Sequence, residues 1–217
     1  MSIERISTGC TSLDEMLNGG IEKGCITEVY GEGGSGKTNI CIQFSVNLAK
    51  NGKKLIFIDS EGVSLERINQ ISKTKDDLLK NILFYKPMGF KEQAEMIEQA
   101  IKLMEKIEIE AIVLDSITNF YRTLNGDLNP LLGKQMNTLL NIARKNNIAV
   151  LITNQVYHDI NNGYERPRGG YAVDHRTKII IKIKKGKFGT RKAILMKHRS
   201  IEEGKIAKFK ITQDGIK

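Results

Sequence analysis

Residues 31–38 read GEGGSGKT, which satisfies G-x-x-x-x-G-K-[ST] through Gly31, Gly36, Lys37 and Thr38. No other stretch restricts the fold so tightly, because this octapeptide works only as the turn between a buried strand and a helix. Successive backbone N–H groups of such a turn point inward as an anion nest, and the helix that follows aims its positive end at the same place. Gly33, Gly34 and Gly36 lack the β-carbons that would obstruct close approach. Lys37 is placed to reach the β- and γ-phosphates, and Thr38 to offer its hydroxyl to Mg²⁺. Glu32, Ser35 and Asn39 complete the segment facing the ligand. The flanks agree: residues 25–30 form a strand-like apolar run, and residues 39–50 are apolar at helical spacing. The implied ligand is a nucleoside triphosphate.

The alternation continues downstream. Strand-like runs over 54–60, 82–87, 111–116 and 149–155 alternate with helical spacing near 65–71, 90–107 and 131–145. That order predicts right-handed βαβ crossovers, hence a mostly parallel twisted sheet with helices on both faces. A short helix over 13–18 precedes the P-loop unit, capped by Thr11 or Ser12 and stopped at Gly19 and Gly20. After residue 170 the pattern changes to short strands over 177–184, 191–197 and 209–212 joined by glycine turns. These predict a C-terminal antiparallel β extension along one side of the sheet. At 217 residues with 40% apolar content, the chain suits one α/β domain. Its parts are an N-terminal segment 1–20, a parallel core 21–156, a polar loop 157–170 and a meander 171–217.

The net charge of +9 is unevenly placed. Residues 176–210 hold thirteen Lys and Arg against Glu202 and Glu203, a balance of +11, so the remainder sums to −2. A basic tail of this kind suits a polyanionic partner. A second reading stays open, because the lysines of 178–185 alternate with Ile179, Ile181 and Ile183, as on a solvated strand face that guards a sheet edge. The opening MSIERISTG has no apolar run, so neither a secretory signal nor a membrane span is expected, and the protein reads as cytoplasmic. Cys10, Cys25 and Cys41 are odd in number and lack metal-ligand spacing, which fits reduced thiols.

Three polar residues end apolar strands. Asp115 closes IVLD and is placed to hold Mg²⁺ through water. Glu61, just past FIDS, is placed to accept a proton from the water that attacks a γ-phosphate. Gln155 ends a third strand at the edge where open α/β sheets bind ligands. An amide there can sense a γ-phosphate and pull the following loop. That loop, 157–170, lacks periodicity and carries Tyr157, Tyr164, Arg166 and Arg168, residues that combine stacking with charge.

Taken together, STGCTSLDEMLNGGIEKGCITEVYGEGGSGKT, FIDSEGVSLERI, IVLDSITNFYR, IAVLITNQV, GKFGTRKAILMKHR and FKITQDGIK resemble the RecA-like recombinase core, in the branch that contains archaeal RadA. The similarity covers nearly the whole chain. The resemblance implies ATP and Mg²⁺ as ligands, Glu61 as the catalytic carboxylate, Arg67 stacked on adenine, and Gln155 as the switch between nucleotide and a second DNA-binding loop at 157–170. The segment 118–134 corresponds to the first such loop, with Arg122 its best DNA contact. Lys197 and Arg199 resemble a Lys-x-Arg pair that reaches a neighbouring subunit's γ-phosphate. His175 resembles a histidine that contacts a neighbour's nucleotide, although its spacing reads equally as a loop histidine.

The helical N-terminal domain, the Phe-x-x-Ala polymerisation element and the proline-containing cap of the recombinases are not recognisable in this sequence. A core-only pattern is similar to the RadB family. That implies DNA repair and recombination, binding of single-stranded or branched DNA, weak ATP hydrolysis and no strand exchange. It also implies a mediator role toward RadA or a Holliday-junction nuclease, a homodimer, and no membrane. Two alternatives stand beside it. One is a KaiC-like signalling or motility ATPase, which shares the S-x-x-L-D-x-x-L-x-G-G opening but carries two adjacent glutamates where this chain has Glu61 and Gly62. The other is a regulatory protein that uses ATP only as a structural ligand.

Overall fold

In the computed structural model, which describes residues 3–73, 78–123, 129–158 and 165–217, the site is set by where parallel strands stop. The chain opens with β1 (Arg5–Ile6), α1 (Thr11–Met16) and β2 (Ile21–Glu22), where β1 and β2 pair in a small antiparallel sheet. Then come β3 (Ile26–Gly31), α2 (Lys37–Lys50), β4 (Leu55–Asp59), α3 (Leu65–Ser72), β5 (Ile82–Tyr85), α4 (Phe90–Met104), β6 (Ala111–Asp115), α5 (Asn129–Asn146) and β7 (Ala149–His158). The C-terminal part adds β8 (Glu165–Pro167), α6 (Gly170–Asp174), β9 (Ile179–Lys185), β10 (Thr190–Lys197), β11 (Ile206–Thr212) and β12 (Gly215–Ile216).

The main sheet runs in the order β12-β11-β10-β9-β3-β7-β6-β4-β5, with β8 paired to β7. Strands β3, β4, β5, β6, β7 and β9 are mutually parallel. From β9 the sheet continues antiparallel through β10, β11 and β12. This is the expected α/β class of helix-covered parallel core and antiparallel extension, except that β9, expected in the antiparallel meander, lies parallel beside β3. Strands β3, β4 and β6 are buried along their whole length, as a sheet covered on both faces requires. One face packs Cys41 and Phe44 of α2 with Ile68 and Ile71 of α3. The other packs Ile97 of α4 against Met136 and Leu139 of α5.

Three local expectations are corrected. Helix α1 starts at Thr11 after Cys10, and neither Thr11 nor Ser12 caps it with a side chain. Instead Asp14 reaches back to the N–H and hydroxyl of Thr8, both at 2.7 Å, fixing the entry to the helix from within it. The strand expected to stop at Gln155 runs on to His158, and Glu165–Pro167 returns beside it with Tyr157 opposite Arg166. The 157–170 segment thus begins and ends in strand and helix rather than as irregular loop throughout. The lysines of β9 are in part committed: Lys182 pairs with Glu165 at 3.1 Å, and Lys185 with Glu32 at 3.4 Å.

Candidate nucleotide and nucleic-acid site

The carboxyl ends of four parallel strands converge. Register pairs Gly31 with Gln155 across β3 and β7, and Asp59 with Asp115 across β4 and β6. Between β3 and α2 the P-loop turns tightly against the C-terminal meander. A β-carbon on Gly31 would lie 2.5 Å from the Ile183 carbonyl oxygen. Gly36 has φ +104°, and a β-carbon there would lie 2.8 Å from Ile211 Cδ1, so only glycine fits. Lys37 Nζ donates to the carbonyls of Gly31 (3.0 Å) and Glu32 (3.1 Å), which holds the ammonium across the loop. Burial lowers the Lys37 pKa, while the carboxylates of Glu61 and Asp115 oppose that shift.

Asp115 is fully buried, and burial raises its pKa to about 6 against hydrogen bonds from Thr153 and Thr38 that favour the carboxylate. Its Oδ2 has no hydrogen-bond partner among the described residues. A shielded carboxylate oxygen is costly without a partner. With Thr38 beside the same carboxylate, these residues fit a Mg²⁺ ion. The peptide that follows, Asp115–Ser116, is cis.

Glu61 is exposed at the start of the turn after β4. Asp59, which the sequence reading passed over, shapes that turn. Its Oδ1 accepts from the N–H groups of Glu61 (3.2 Å) and Gly62 (2.8 Å), and its Oδ2 from Val63 (2.7 Å). The signal was present as an Asp at a strand end ahead of S-E-G, ordinary Asx-turn chemistry. Gln155 Nε2 donates to Glu61 Oε1 at 2.5 Å, so the two strand-end candidates are in direct contact.

Arg67 lies beside the P-loop helix. It donates to Asn39 Oδ1 (2.7 Å), Gln70 Oε1 (3.0 Å) and the carbonyls of Thr212 (2.8 Å) and Gln213 (2.8 Å). These bonds fix its guanidinium plane and tie α3 to the end of β11.

On the other side of Gln155 lies an open cleft of about 820 Å³ between α5, α6 and the β7–β8 pair. Tyr121, Lys134, Tyr157, Arg168, Tyr171 and Arg176 line it. Tyr157 and Tyr171 are exposed, and the Tyr171 ring lies 5.1 Å from that of His175. Of the candidate DNA contacts, Tyr157 and Arg168 thus meet in one cleft, and Arg166 sits opposite Tyr157 on β8. Tyr164 and the side chain of Arg122 lie outside the described residues; the Arg122 backbone belongs to the 3₁₀ turn Phe120–Thr123. Lys134 closes the segment 118–134 expected as the first DNA-binding loop, whereas Tyr171 on α6 and Arg176 just after it went unremarked because their spacing marks them only as polar positions.

Asn154, buried beside Gln155, binds the two borders of the cleft. Its Oδ1 accepts from Thr118 Oγ1 (2.6 Å), and its Nδ2 donates to the Arg168 carbonyl (2.7 Å) and to Glu28 Oε1 (2.8 Å). Glu28 is fully buried on β3, and burial raises its pKa to about 7.

Lys197 and Arg199 stand apart from this site. Lys197 Nζ donates to the Asp174 carbonyl at 2.9 Å. Arg199 is bonded to buried Glu22, which also pairs with Arg5 at 3.3 Å.

The Rad51 family model matches residues 1–217. "DNA repair and recombination protein RadB" from Methanococcus maripaludis strain C7 is 46% identical over 213 residues, covering 94% of this chain and 96% of the relative. The protein of that name from Thermoplasma acidophilum is 42% identical over 219 residues, 99% and 94% of the two chains. That from Methanococcoides burtonii is 39% identical over 221 residues, 99% and 98%.

Proposed function

The chain belongs to the Rad51 family, and from that premise we propose that it binds ATP with Mg²⁺ on the P-loop and DNA in the cleft beyond Gln155, with Gln155 linking the two. Its relatives carry DNA repair and recombination in their names, and this chain serves the same processes. The family match favours the recombinase-like reading over the KaiC-like alternative.

The single observation that carries the reading is the Gln155–Glu61 hydrogen bond. Glu61 is the base that accepts the proton of the attacking water, and Gln155 is the amide that reports on it. Thr38 and Asp115 would hold Mg²⁺, which would supply charge neutralisation at the phosphates. Lys37 binds the terminal phosphates. The Arg168 N–H donates to the Gln155 carbonyl at 3.0 Å, so a shift of Gln155 moves the strand that carries Arg166. Lys134 and Arg176 neutralise backbone phosphates, while Tyr157 and Tyr171 offer stacking surfaces without base readout.

Titration of labelled single-stranded DNA with and without ATP–Mg²⁺ tests the reading. Affinity that falls steeply with salt and changes with nucleotide is expected. An absence of binding at low salt contradicts it. The mediator role toward a RadA recombinase or a Holliday-junction nuclease rests on the resemblance alone. Co-sedimentation with either protein, with and without ATP, checks it.

A further inference from the structure

The basic C-terminal extension touches the phosphate cradle from behind. Arg191, the second residue of β10, sends its guanidinium across to the P-loop, 156 residues away in sequence, where Nε donates to the Ser35 carbonyl at 2.9 Å. Nη2 donates to the Gly34 carbonyl at 3.1 Å, and Nη1 to the Thr190 carbonyl at 2.8 Å, which anchors the side chain to its own strand. Two further contacts come from the same extension. Ile211 of β11 abuts Gly36, and Lys185 at the end of β9 pairs with Glu32.

The geometry bears on the anion nest. In a trans peptide the C=O and the following N–H point in opposite directions. Holding the Ser35 carbonyl toward Arg191 therefore turns the Gly36 N–H to the opposite side of the loop. A glycine-rich loop does not hold that orientation by itself, because Gly33, Gly34 and Gly36 leave its peptides free to rotate. A guanidinium fork with two carbonyl acceptors fixes two adjacent peptide planes together.

We propose that Arg191 is a positioning residue for nucleotide binding: it locks the Gly34 and Ser35 peptides so that the cradle is formed before the triphosphate arrives. This rests on the reading of the P-loop as an ATP site. Arg191 touches no phosphate itself. It acts through the loop, so its removal weakens nucleotide affinity by making the ligand order the cradle on binding.

Binding of a fluorescent ATP analogue with Mg²⁺ to the full chain tests the proposal, using Arg191→Ala and Arg191→Lys beside the parent and Lys37→Ala. Loss of two charge-assisted bonds predicts that Arg191→Ala weakens affinity by about tenfold or more. The nucleotide-free affinity for single-stranded DNA should stay as in the parent. Arg191→Lys, which keeps the charge but not the fork, should fall between parent and Ala. Guanidinium ion added to Arg191→Ala should recover part of the affinity, which a merely structural defect would not do. Unchanged nucleotide affinity in both Arg191 variants overturns the proposal. If Arg191→Ala does not fold, Arg191→Lys decides: weakened binding supports the clamp, parent-like binding overturns it. A parent chain that binds no better than Lys37→Ala removes the ATP reading itself, and the clamp with it.

Discussion

The P-loop cradle and the aromatic cleft proposed to take nucleic acid share β7 but are built in opposite ways. Around the cradle, Asp59 accepts from the turn Glu61–Val63 and Asp115 from Thr153, while Lys37 donates to the carbonyls of Gly31 and Glu32 and Arg67 to Asn39 and the end of β11. At the cleft, Tyr157 and Tyr171 project into solvent, and the walls come from two helices and a two-strand return. A rigid cradle suits a small ligand with defined phosphate positions, where each misplaced donor costs affinity. An open wall of rings and cations suits a flexible polyanion read by stacking and charge. Asn154 and Gln155 of β7 lie between them. Adjacent on a strand, they face opposite sides of the sheet, one toward Thr118 and Arg168 and the other toward Glu61.

The sharpest way to separate the two regions is Glu61→Gln. Loss of the proposed general base predicts that ATP turnover falls by about 10²-fold or more, while nucleotide affinity stays near the parent value. A steady-state ATPase assay beside an equilibrium binding measurement checks this. Equal loss of both would show that Glu61 shapes the cradle rather than serving the chemistry.

Glu28 joins the two regions from below, and its effect is on stability. The native carboxyl keeps its proton up to about pH 7, whereas an unfolded glutamate loses it near 4.5. Between those values the folded state binds more protons, so this group's contribution falls as pH rises and is fully lost above about 7. The loss is on the order of 3 kcal/mol. Glu28→Gln should remove that slope, leaving the variant more stable than the parent at pH 8 and comparable near pH 4.5. Denaturant melts across this range check it, and parallel slopes in parent and variant would contradict it.

At the cleft the effects are smaller and spread out. Tyr157→Ala and Tyr171→Ala should each weaken single-stranded DNA binding by about 1–3 kcal/mol without altering ATP affinity. Fluorescence anisotropy at fixed salt measures both. A change in ATP affinity in either variant would blur the division between the regions.

How much was legible in the sequence follows the same division. Runs such as AIVLD and LIFID declare buried parallel strands, and the P-loop motif orders strand, turn and helix, so the cradle's frame could be read locally. Asp115 was readable because it ends such a run, Glu61 because it follows one in the turn, and Gln155 because the apolar part of β7 gives way there, although the strand itself runs on to His158. The cleft was not, because its walls come from α5, α6 and β8, and only folding brings Lys134, Arg176 and Tyr157 together. The return strand at 165–167 was hidden for the same reason, since three residues carry no period of their own. Arg191 lay in plain view on a basic strand, but its partners Gly34 and Ser35 are supplied by sheet order. Asn154 read as one polar residue in a strand end, although β3, the turn after β6 and the turn after β8 meet at its amide.

The link between the regions is tested most directly by Gln155→Ala. Single-stranded DNA affinity should be measured with and without ATP–Mg²⁺, beside ATP affinity in the same protein. Gln155→Ala should bind ATP as the parent does and bind DNA with one affinity whether or not nucleotide is present. A variant that still changes its DNA affinity on adding ATP, to the parent's extent, would contradict the role given to Gln155.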